Sequence, residues 1–520
     1  MNTLLNGMKN STNLTLTENG GITHKTTRSD LLDMFAMGAA MRTRTDEDVI
    51  LMFKKAFKEN PVYALKCLFY IRDVRGGQGE RRFFRVIIKA MANDPTMRSA
   101  IERNMDNVAE FGRWDDLYAF VGTPLESNAL AIFKKQLALD VQCKTPSLLA
   151  KWLKSENASS GESTRLGNIT RKYLGMTHKE YRKVLSALRT RINIVEKLMS
   201  ENRWDEIEFD KIPSKAGLKY KNAFARHDIE RMKSDKIVQS YADFAKDTTT
   251  KVNAKALYPY EVVAKACEVM GCSYGWGYSS RSAKSMDDTD RLMVNKYWEN
   301  LEDYFKGKTF NGMAVVDTSA SMRGSDASAP INVAISLGMY CAERANGPFA
   351  GHYVSFSSRP QLITVDGVDF CDKVKRIWQT NLCENTNIEA TFDMLLNTAI
   401  ANRCTQDDLP QNLIVISDME FDRGSASSYG YGYATKPSAQ VVTLMERIRA
   451  KWAAHGYRMP HLIYWNVQAR QDNIPEDIGC GLVSYVSGMS PTIFDTIMSG
   501  KTGYDLMMEK LNAERYAVIG

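Results

Sequence analysis

The feature that most constrains the fold is a short apolar segment that ends on a carboxylate and two hydroxyls. Residues 313–316 (Met-Ala-Val-Val) have the composition of a buried β-strand, and Asp317, Ser319 and Ser321 follow directly. A polar, glycine-containing loop comes next, and a helical pattern begins near Ile331. A strand, a loop and then a helix is the order of α/β folds, which bind ligands at the carboxyl edge of a parallel sheet. This order predicts that the three oxygen-bearing side chains lie at such an edge.

A second segment of the same kind lies further along the chain. Residues 411–417 have the pattern of another buried strand, which ends on Asp418, and Thr386 stands just before a helical pattern over residues 388–400. Carboxylate and hydroxyl oxygens are ligands that Mg²⁺ prefers, but they are too few here to complete an octahedron. The sequence therefore predicts a divalent cation, Mg²⁺ or Mn²⁺, whose shell another group completes. The predicted ligands are Asp317, Ser319, Ser321, Thr386 and Asp418.

Residues 308–520 resemble a von Willebrand factor A domain. The five predicted ligands match the metal-ion-dependent adhesion site of that family one by one, and later strands are expected at residues 461–465 and 482–486. The resemblance implies a doubly wound, Rossmann-like α/β fold, and a metal that binds an acidic group of a partner as its last ligand. The alternative is a set of loops whose Ser and Asp side chains hydrogen-bond their own backbone and hold no metal.

No catalytic signature accompanies the predicted metal site. The sequence contains no recognisable Ser–His–Asp or Cys–His arrangement and no Walker-type phosphate loop. His352 is the one histidine near these segments, and the alternating pattern of residues 352–356 places it in a strand. Two carboxylates at a metal can activate water, but no general base is evident beside them. We therefore predict that the protein is not an enzyme.

Length and composition bound the rest of the chain. With 520 residues and 44% hydrophobic residues, it is too long for a single core and is expected to form two or three domains. No apolar run approaches the roughly 20 residues that span a bilayer, and residues 1–28 form a polar leader without the apolar segment of a signal peptide. The nine cysteines are odd in number and lack Cys-x-x-Cys spacing, which indicates reduced thiols. We expect a cytoplasmic protein with no membrane partner.

Residues 29–305 carry a different pattern, of short amphipathic helices separated by polar loops. Successive helices of this kind usually pair and stack as an α-solenoid, so we predict a domain of degenerate HEAT-like repeats. The junction with the α/β domain is expected near residues 304–309. The segments with the clearest helical spacing are residues 48–58, 61–71, 83–91 and 104–111.

Two motifs in the helical half indicate a family. Residues 75–81 read Arg-Gly-Gly-Gln-Gly-Glu-Arg, and residues 111–117 read Phe-Gly-Arg-Trp-Asp-Asp-Leu. A helical repeat domain with these motifs, followed by a von Willebrand A domain, resembles the TROVE-module (Ro-like) ribonucleoproteins and, more closely, a sister family of the same layout. The resemblance implies a ring of helices that is closed by the A domain and binds structured RNA and single-stranded RNA ends. For the first motif, the residues themselves favour a helix connector whose arginines pair with Asp73 or Glu80.

Positive charge is concentrated in one part of the helical half. Residues 144–236 hold 21 lysines and arginines against 12 acidic residues, whereas the whole chain has a net charge of +7. Such clustering is the electrostatic footprint of phosphate binding, although a solvated basic face is also common in proteins that bind no nucleic acid. Interleaved aromatic residues, including Trp152, Trp204 and Phe224, offer stacking surfaces for unpaired bases unless they belong to the core. The candidate RNA-binding residues are Arg171, Lys172, Lys179, Arg182, Lys183, Arg189 and Arg191.

Two functional hypotheses remain. The first is a non-catalytic RNA-binding protein whose basic helices bind structured or single-stranded RNA, while the metal-containing A domain closes the ring or docks a partner. The second is a protein-interaction scaffold whose metal binds an acidic group of a protein partner and which has no role with RNA. Charge reversal on the basic helix separates the two, because only RNA binding depends on that surface.

Overall fold

The computed structural model describes residues 13–192, 194–233, 238–272, 288–324, 326–356, 359–380, 387–422, 443–476 and 483–520. The chain divides into two compact units. The sheet unit comprises the described residues of Met1–Cys67 and Leu257–Glu514. The helical unit comprises those of Leu68–Ala256 and Arg515–Gly520.

The sheet unit contains a six-stranded, mostly parallel sheet and a separate hairpin. The sheet has the spatial order β5–β4–β3–β6–β7–β8, and only β5 runs antiparallel to its neighbour. The chain enters at β3 and builds outward on both sides, so the topological switch point lies between β3 and β6, where α/β sheets bind ligands. The strands are β1 (Leu14–Leu16), β2 (Ile22–His24), β3 (Gly312–Asp317), β4 (His352–Phe356), β5 (Gln361–Thr364), β6 (Asn412–Ser417), β7 (His461–Asn466) and β8 (Val483–Ser487).

Helices account for most of the remaining described structure, and the predicted fold class is confirmed. They dominate the described chain before β3, and after it they alternate with the strands of the sheet. None of the described helices combines the length and the apolar character that crossing a bilayer requires. The α-helices are α1 (Asp30–Met37), α2 (Asp46–Glu59), α3 (Pro61–Arg72), α4 (Arg82–Asn93), α5 (Arg98–Arg103), α6 (Val108–Phe111), α7 (Glu126–Gln142), α8 (Leu149–Trp152), α9 (Gly161–Tyr173), α10 (His178–Arg191), α11 (Val195–Ser200), α12 (Ser214–Arg226), α13 (Asp228–Met232), α14 (Tyr241–Lys246), α15 (Pro259–Met270), α16 (Asp288–Glu299), α17 (Pro330–Arg344), α18 (Phe370–Gln379), α19 (Ile388–Ala401), α20 (Leu444–Ala454), α21 (Thr492–Ile497) and α22 (Gly503–Leu511).

The two units do not follow the order of the predicted segments 29–305 and 308–520. Helix α1 packs on β8, where the Ser487 hydroxyl donates to the Phe35 carbonyl, and α15 packs on α17 and α18. Helices α1, α2, α15 and α16 of the predicted repeat domain therefore belong to the sheet unit. Helix α1 covers the sheet itself, whereas α15 packs on α17, which in turn covers β3 and β4.

The hairpin β1–β2 lies within the segment predicted as a polar leader. Its turn contacts the chain that follows β6: the Thr17 hydroxyl donates to the Phe421 carbonyl at 2.6 Å, and Gly20 forms an antiparallel bridge with Asp422. Gly21 is required there, because a Cβ atom at that position would stand 2.5 Å from the Phe421 carbonyl oxygen. Polar Asn and Thr residues suit this role, since their side chains hydrogen-bond exposed backbone that regular pairing does not satisfy.

In the helical unit, the Phe-Gly-Arg-Trp-Asp-Asp motif builds a buried ion-pair network. Asp116 is fully buried and accepts from Arg72 Nε at 2.8 Å, from Arg85 Nε at 2.6 Å and from the Arg113 backbone at 2.9 Å. Gly112 is required because a Cβ atom there would overlap the Asp116 carboxylate. The motif therefore serves the structure of this unit, by tying the ends of α3 and α4 to the 3₁₀ helix Trp114–Phe120.

The Arg-Gly-Gly motif connects α3 to α4, as predicted, and two of its charged residues pair with residues far away in sequence. Arg75 pairs with Glu110 at 2.9 Å. Asp73 instead accepts from Arg515 at 2.5 Å and from the Tyr516 hydroxyl at 3.0 Å. These partners are distant in sequence, so local spacing alone did not reveal them.

The buried carboxyl group of Asp33 makes part of the stability of the sheet unit depend on pH. It accepts hydrogen bonds from the Thr27 backbone and hydroxyl at 2.7 Å each, yet burial outweighs them and raises the pKa of Asp33 from 3.8 to about 6. The folded chain holds this proton more tightly than the unfolded chain, so the contribution of Asp33 to stability falls as pH rises from about 4 to about 6. We expect thermal melts to show wild type losing melting temperature relative to Asp33→Asn across that interval. A difference that does not change with pH contradicts this assignment.

Candidate metal centre and basic surface

The predicted metal ligands from the two central strands meet at the carboxyl edge of the sheet. Strands β3 and β6 are parallel neighbours, with Val316 opposite Ile416. Asp317 ends β3, and Asp418 follows the last residue of β6. Two buried carboxylates are thereby placed side by side at the topological switch point. Thr386, the fifth predicted ligand, lies outside the described residues.

Each carboxylate is positioned by local hydrogen bonds. Asp317 accepts from the Ser319 backbone at 2.9 Å and from the Ser417 hydroxyl at 2.6 Å. Asp418 accepts from the Glu420 backbone at 3.2 Å through one oxygen. Its other oxygen, Oδ2, is buried and receives no hydrogen bond from the described residues. A buried carboxylate oxygen without a donor is costly, so this atom is suited to an additional ligand.

Electrostatics also favour a cation between the two strands. Burial raises the pKa of both Asp317 and Asp418, and the charge of Asp418 raises that of Asp317 further. Two adjacent buried negative charges are stabilised when a divalent cation lies beside both of them. The hydroxyls of Ser319 and Ser321 lie 3.0 Å apart at the same edge and add neutral oxygen donors.

The donor set therefore fits a hard cation such as Mg²⁺. It consists of oxygen atoms alone, which suits Mg²⁺ or Mn²⁺ and does not suit metals that prefer sulfur or imidazole. The described residues contain no cluster of three or more His, Cys, Asp or Glu side chains arranged to hold a metal. A metal here would rest on two carboxylates and on hydroxyls, which leaves coordination positions for other groups.

Sequence reasoning missed two charged residues at this edge, Arg470 and Glu18. Arg470 donates to the Ser321 carbonyl oxygen, and its Nε lies 3.6 Å from Asp418 Oδ2. Its Nη1 lies 3.3 Å from Glu18 Oε2. The position of Arg470 shortly after β7, a neighbouring parallel strand, is a signal that would have located it. Glu18 carried no such signal, because it comes from the distant hairpin turn.

The structure separates the candidate RNA-binding residues into two groups. Arg171 pairs with Glu156 at 2.6 Å, and Arg189 donates to the carbonyls of Ala150 and Leu153. Arg191 donates to the carbonyl of Val141 at 3.1 Å. These three guanidinium groups hold neighbouring segments together.

The remaining candidates form an exposed surface, which we call the basic face. None of them makes an ion pair with a described residue, and Glu180, the acid nearest in sequence, is engaged in capping α10 through Thr177. Of the interleaved aromatic residues, Trp204 and Phe224 are buried, so they belong to the core. The basic face consists of Lys172, Lys179, Arg182 and Lys183.

The comparisons with known proteins identify the family. The model of the DUF2828 family, described as a domain of unknown function, matches residues 17–160 and 136–308. The chain belongs to the DUF2828 family. A second model, DUF7788, which is also described as a domain of unknown function, matches residues 311–516.

Two individual proteins are also similar to this chain. "Uncharacterized protein L728" of Acanthamoeba polyphaga mimivirus is 30% identical over 496 residues, which cover 88% of this chain and 79% of the relative. The crystal structure of the Deinococcus radiodurans RO (RSR) protein matches with a TM-score of 0.43 and 13% identity, over 91% of this chain and 100% of that one.

Proposed function

We propose that this protein is a non-catalytic RNA-binding protein whose RNA contacts lie on the basic face. The observation that carries the proposal is the absence of any acidic partner for these four cations among the described residues. Unpaired surface cations retain their full attraction for phosphate, whereas cations in ion pairs are already neutralised. The resemblance of the two motifs to the TROVE-module proteins supports RNA as the polyanion.

The positions of the four residues suit a backbone contact. Lys172 lies in the last turn of α9, and Lys179, Arg182 and Lys183 lie in the first two turns of α10. Residues three and four apart share one side of a helix, so Lys179, Arg182 and Lys183 are presented together. Such a cluster binds phosphates without reading bases, which suits RNA recognised by shape or by an unpaired end.

Charge reversal tests the proposal. The variant Lys179→Glu/Arg182→Glu/Lys183→Glu is expected to bind fluorescein-labelled single-stranded RNA at least about tenfold more weakly in an anisotropy titration. For wild type, log Kd should rise with log salt with a slope of about 3, because about 0.7 counterion is released per phosphate neutralised by the four cations.

A matched control shows whether the loss of RNA binding is specific to the basic face. Lys58→Glu/Lys251→Glu/Lys306→Glu reverses three exposed lysines elsewhere and is expected to bind RNA nearly as wild type does. Equal affinities for wild type and for the basic-face variant would contradict the proposal. Equal losses in the two triple variants would mean that net charge, and not this surface, governs binding.

A second function, docking of an acidic group at a sheet-edge metal, is supported by the unsatisfied oxygen of Asp418. Asp317, Asp418 and the hydroxyls of Ser319 and Ser321 would hold the ion. The bound Mg²⁺ would supply a positive centre that accepts one further carboxylate oxygen. Docking of this kind needs no general base, so it is compatible with a non-catalytic protein.

A further inference from the structure

A side chain of the same chain approaches the proposed metal site from outside the sheet. Arg470 lies with one guanidinium nitrogen 3.6 Å from Asp418 Oδ2 and another 3.3 Å from Glu18 Oε2. One cationic group therefore stands between a buried carboxylate and a half-exposed one. Among the described residues, its buried Nε has no hydrogen-bond acceptor, and the Asp418 oxygen that it faces has no hydrogen-bond donor. This contact satisfies neither atom.

The backbone of Glu18 is fixed at this edge by the hairpin turn. The Glu18 backbone N–H donates to the Glu420 carboxylate at 2.7 Å, and the Asn19 side chain donates to the Glu420 carbonyl at 2.5 Å. Glu420 follows Asp418 by two residues, so these bonds tie the turn to the segment that carries the metal ligand. Among the described residues, the Glu18 carboxylate contacts only Arg470, so rotation about its side-chain bonds would let it turn inward.

We propose that Glu18 is the acidic group that completes the shell of the bound metal, as an internal ligand. This inference rests on the proposed metal site. Asp317 and Asp418 would hold the cation, and Glu18, released from Arg470, would supply a third carboxylate. An oxygen-only site with three carboxylates binds a divalent cation more tightly than one with two.

Arg470 has room to move when Glu18 changes partner. A cavity of about 680 Å³ lies beside it and is lined by Arg470 together with the carboxylates of Asp33 and Asp472. These acids offer alternative partners for the guanidinium, so its charge need not stay next to the metal. An acidic group of another protein then competes with Glu18 for a single coordination position.

Equilibrium binding of Mn²⁺ to the full chain, followed by the electron paramagnetic resonance of the free ion, tests the inference. Glu18→Gln keeps the size of the side chain and removes its charge, and it is expected to weaken Mn²⁺ binding by about tenfold or more. Millimolar acetate is expected to restore affinity in Glu18→Gln, because it fills the vacated position, and to have no effect on wild type.

Two further variants make each outcome decisive. Asp366→Asn removes an equal charge from an exposed carboxylate that lies 3.7 Å from Arg376, and it is expected to bind Mn²⁺ as wild type does. If Glu18→Gln matches Asp366→Asn while Asp418→Asn loses binding, Glu18 is not a ligand and the metal site stands. If Asp418→Asn binds Mn²⁺ as wild type does, the metal site itself is wrong, and the role of Glu18 is overturned with it.

Discussion

Replacing Asp116 by asparagine is expected to destabilise the helical unit by about 3–5 kcal/mol, the cost of breaking a buried ion pair on one side. The substitution keeps the shape of the side chain but leaves Arg72, which is 1% exposed, without its anionic partner. Arg85 also loses a carboxylate partner, since it pairs with Asp116 at 2.6 Å. A buried guanidinium without a carboxylate partner cannot be hydrated at that depth, so we expect the hydrogen bonds of the network to break.

Hydrogen exchange measures this effect within the unit concerned. Peptides from residues 68–142 are expected to exchange roughly a hundredfold or more faster in Asp116→Asn than in wild type. Glu162→Gln, which removes an exposed ion pair with Arg165 in the same unit, should leave exchange unchanged. Unaltered protection in Asp116→Asn would show that the network contributes little to stability.

Replacing Asp418 by asparagine is expected to abolish stabilisation of the sheet unit by Mg²⁺. At a concentration about 100-fold above its Kd, a ligand stabilises the folded state by about 2.7 kcal/mol, which corresponds to a rise in melting temperature of roughly 5 °C or more. Wild type should show this rise when Mg²⁺ is added and lose it when the ion is chelated. Asp317→Asn is expected to behave as Asp418→Asn does, because both carboxylates flank the same position.

Without Mg²⁺, the difference in melting temperature between the variant and wild type is expected to reverse in sign. Asp418→Asn should then melt at the same temperature as wild type or higher, because it removes one of two neighbouring buried charges that repel each other. This pattern distinguishes a ligand from a merely structural carboxylate, whose loss destabilises the protein in both conditions. Asp366→Asn, which removes an exposed carboxylate elsewhere in the sheet unit, provides the control and should keep the full response to Mg²⁺. A Mg²⁺ response retained in Asp418→Asn contradicts the metal assignment.

The local parts of the fold could be predicted from the sequence because they depend on short-range pattern. Buried parallel strands are continuous apolar runs, so β3, β6 and β7 were located within a residue or two. Helix α19 was expected at residues 388–400 and spans Ile388–Ala401. The side chains that follow each strand came together at one edge, since the carboxyl ends of parallel strands coincide there.

The parts that could not be predicted depend on contacts between distant segments. Glu18 reaches the sheet edge only because the hairpin turn bonds to the residues after Asp418. Arg189 lies in the same basic run as Lys183, yet it binds backbone carbonyls while Lys183 is exposed. Charge counted along the chain does not separate these two roles, because the difference lies in which carbonyls the fold brings near.

The central claim, that the basic face binds RNA, is tested most directly by the nucleic acid that accompanies the protein on purification. Wild type and Lys179→Glu/Arg182→Glu/Lys183→Glu are purified side by side at low salt, and absorbance at the nucleic-acid and protein maxima is compared before the bound RNA is sequenced. We predict that wild type retains RNA that is released at high salt, and that the variant retains much less. Wild type that carries no RNA at low salt, or a variant that carries as much as wild type, would contradict the account.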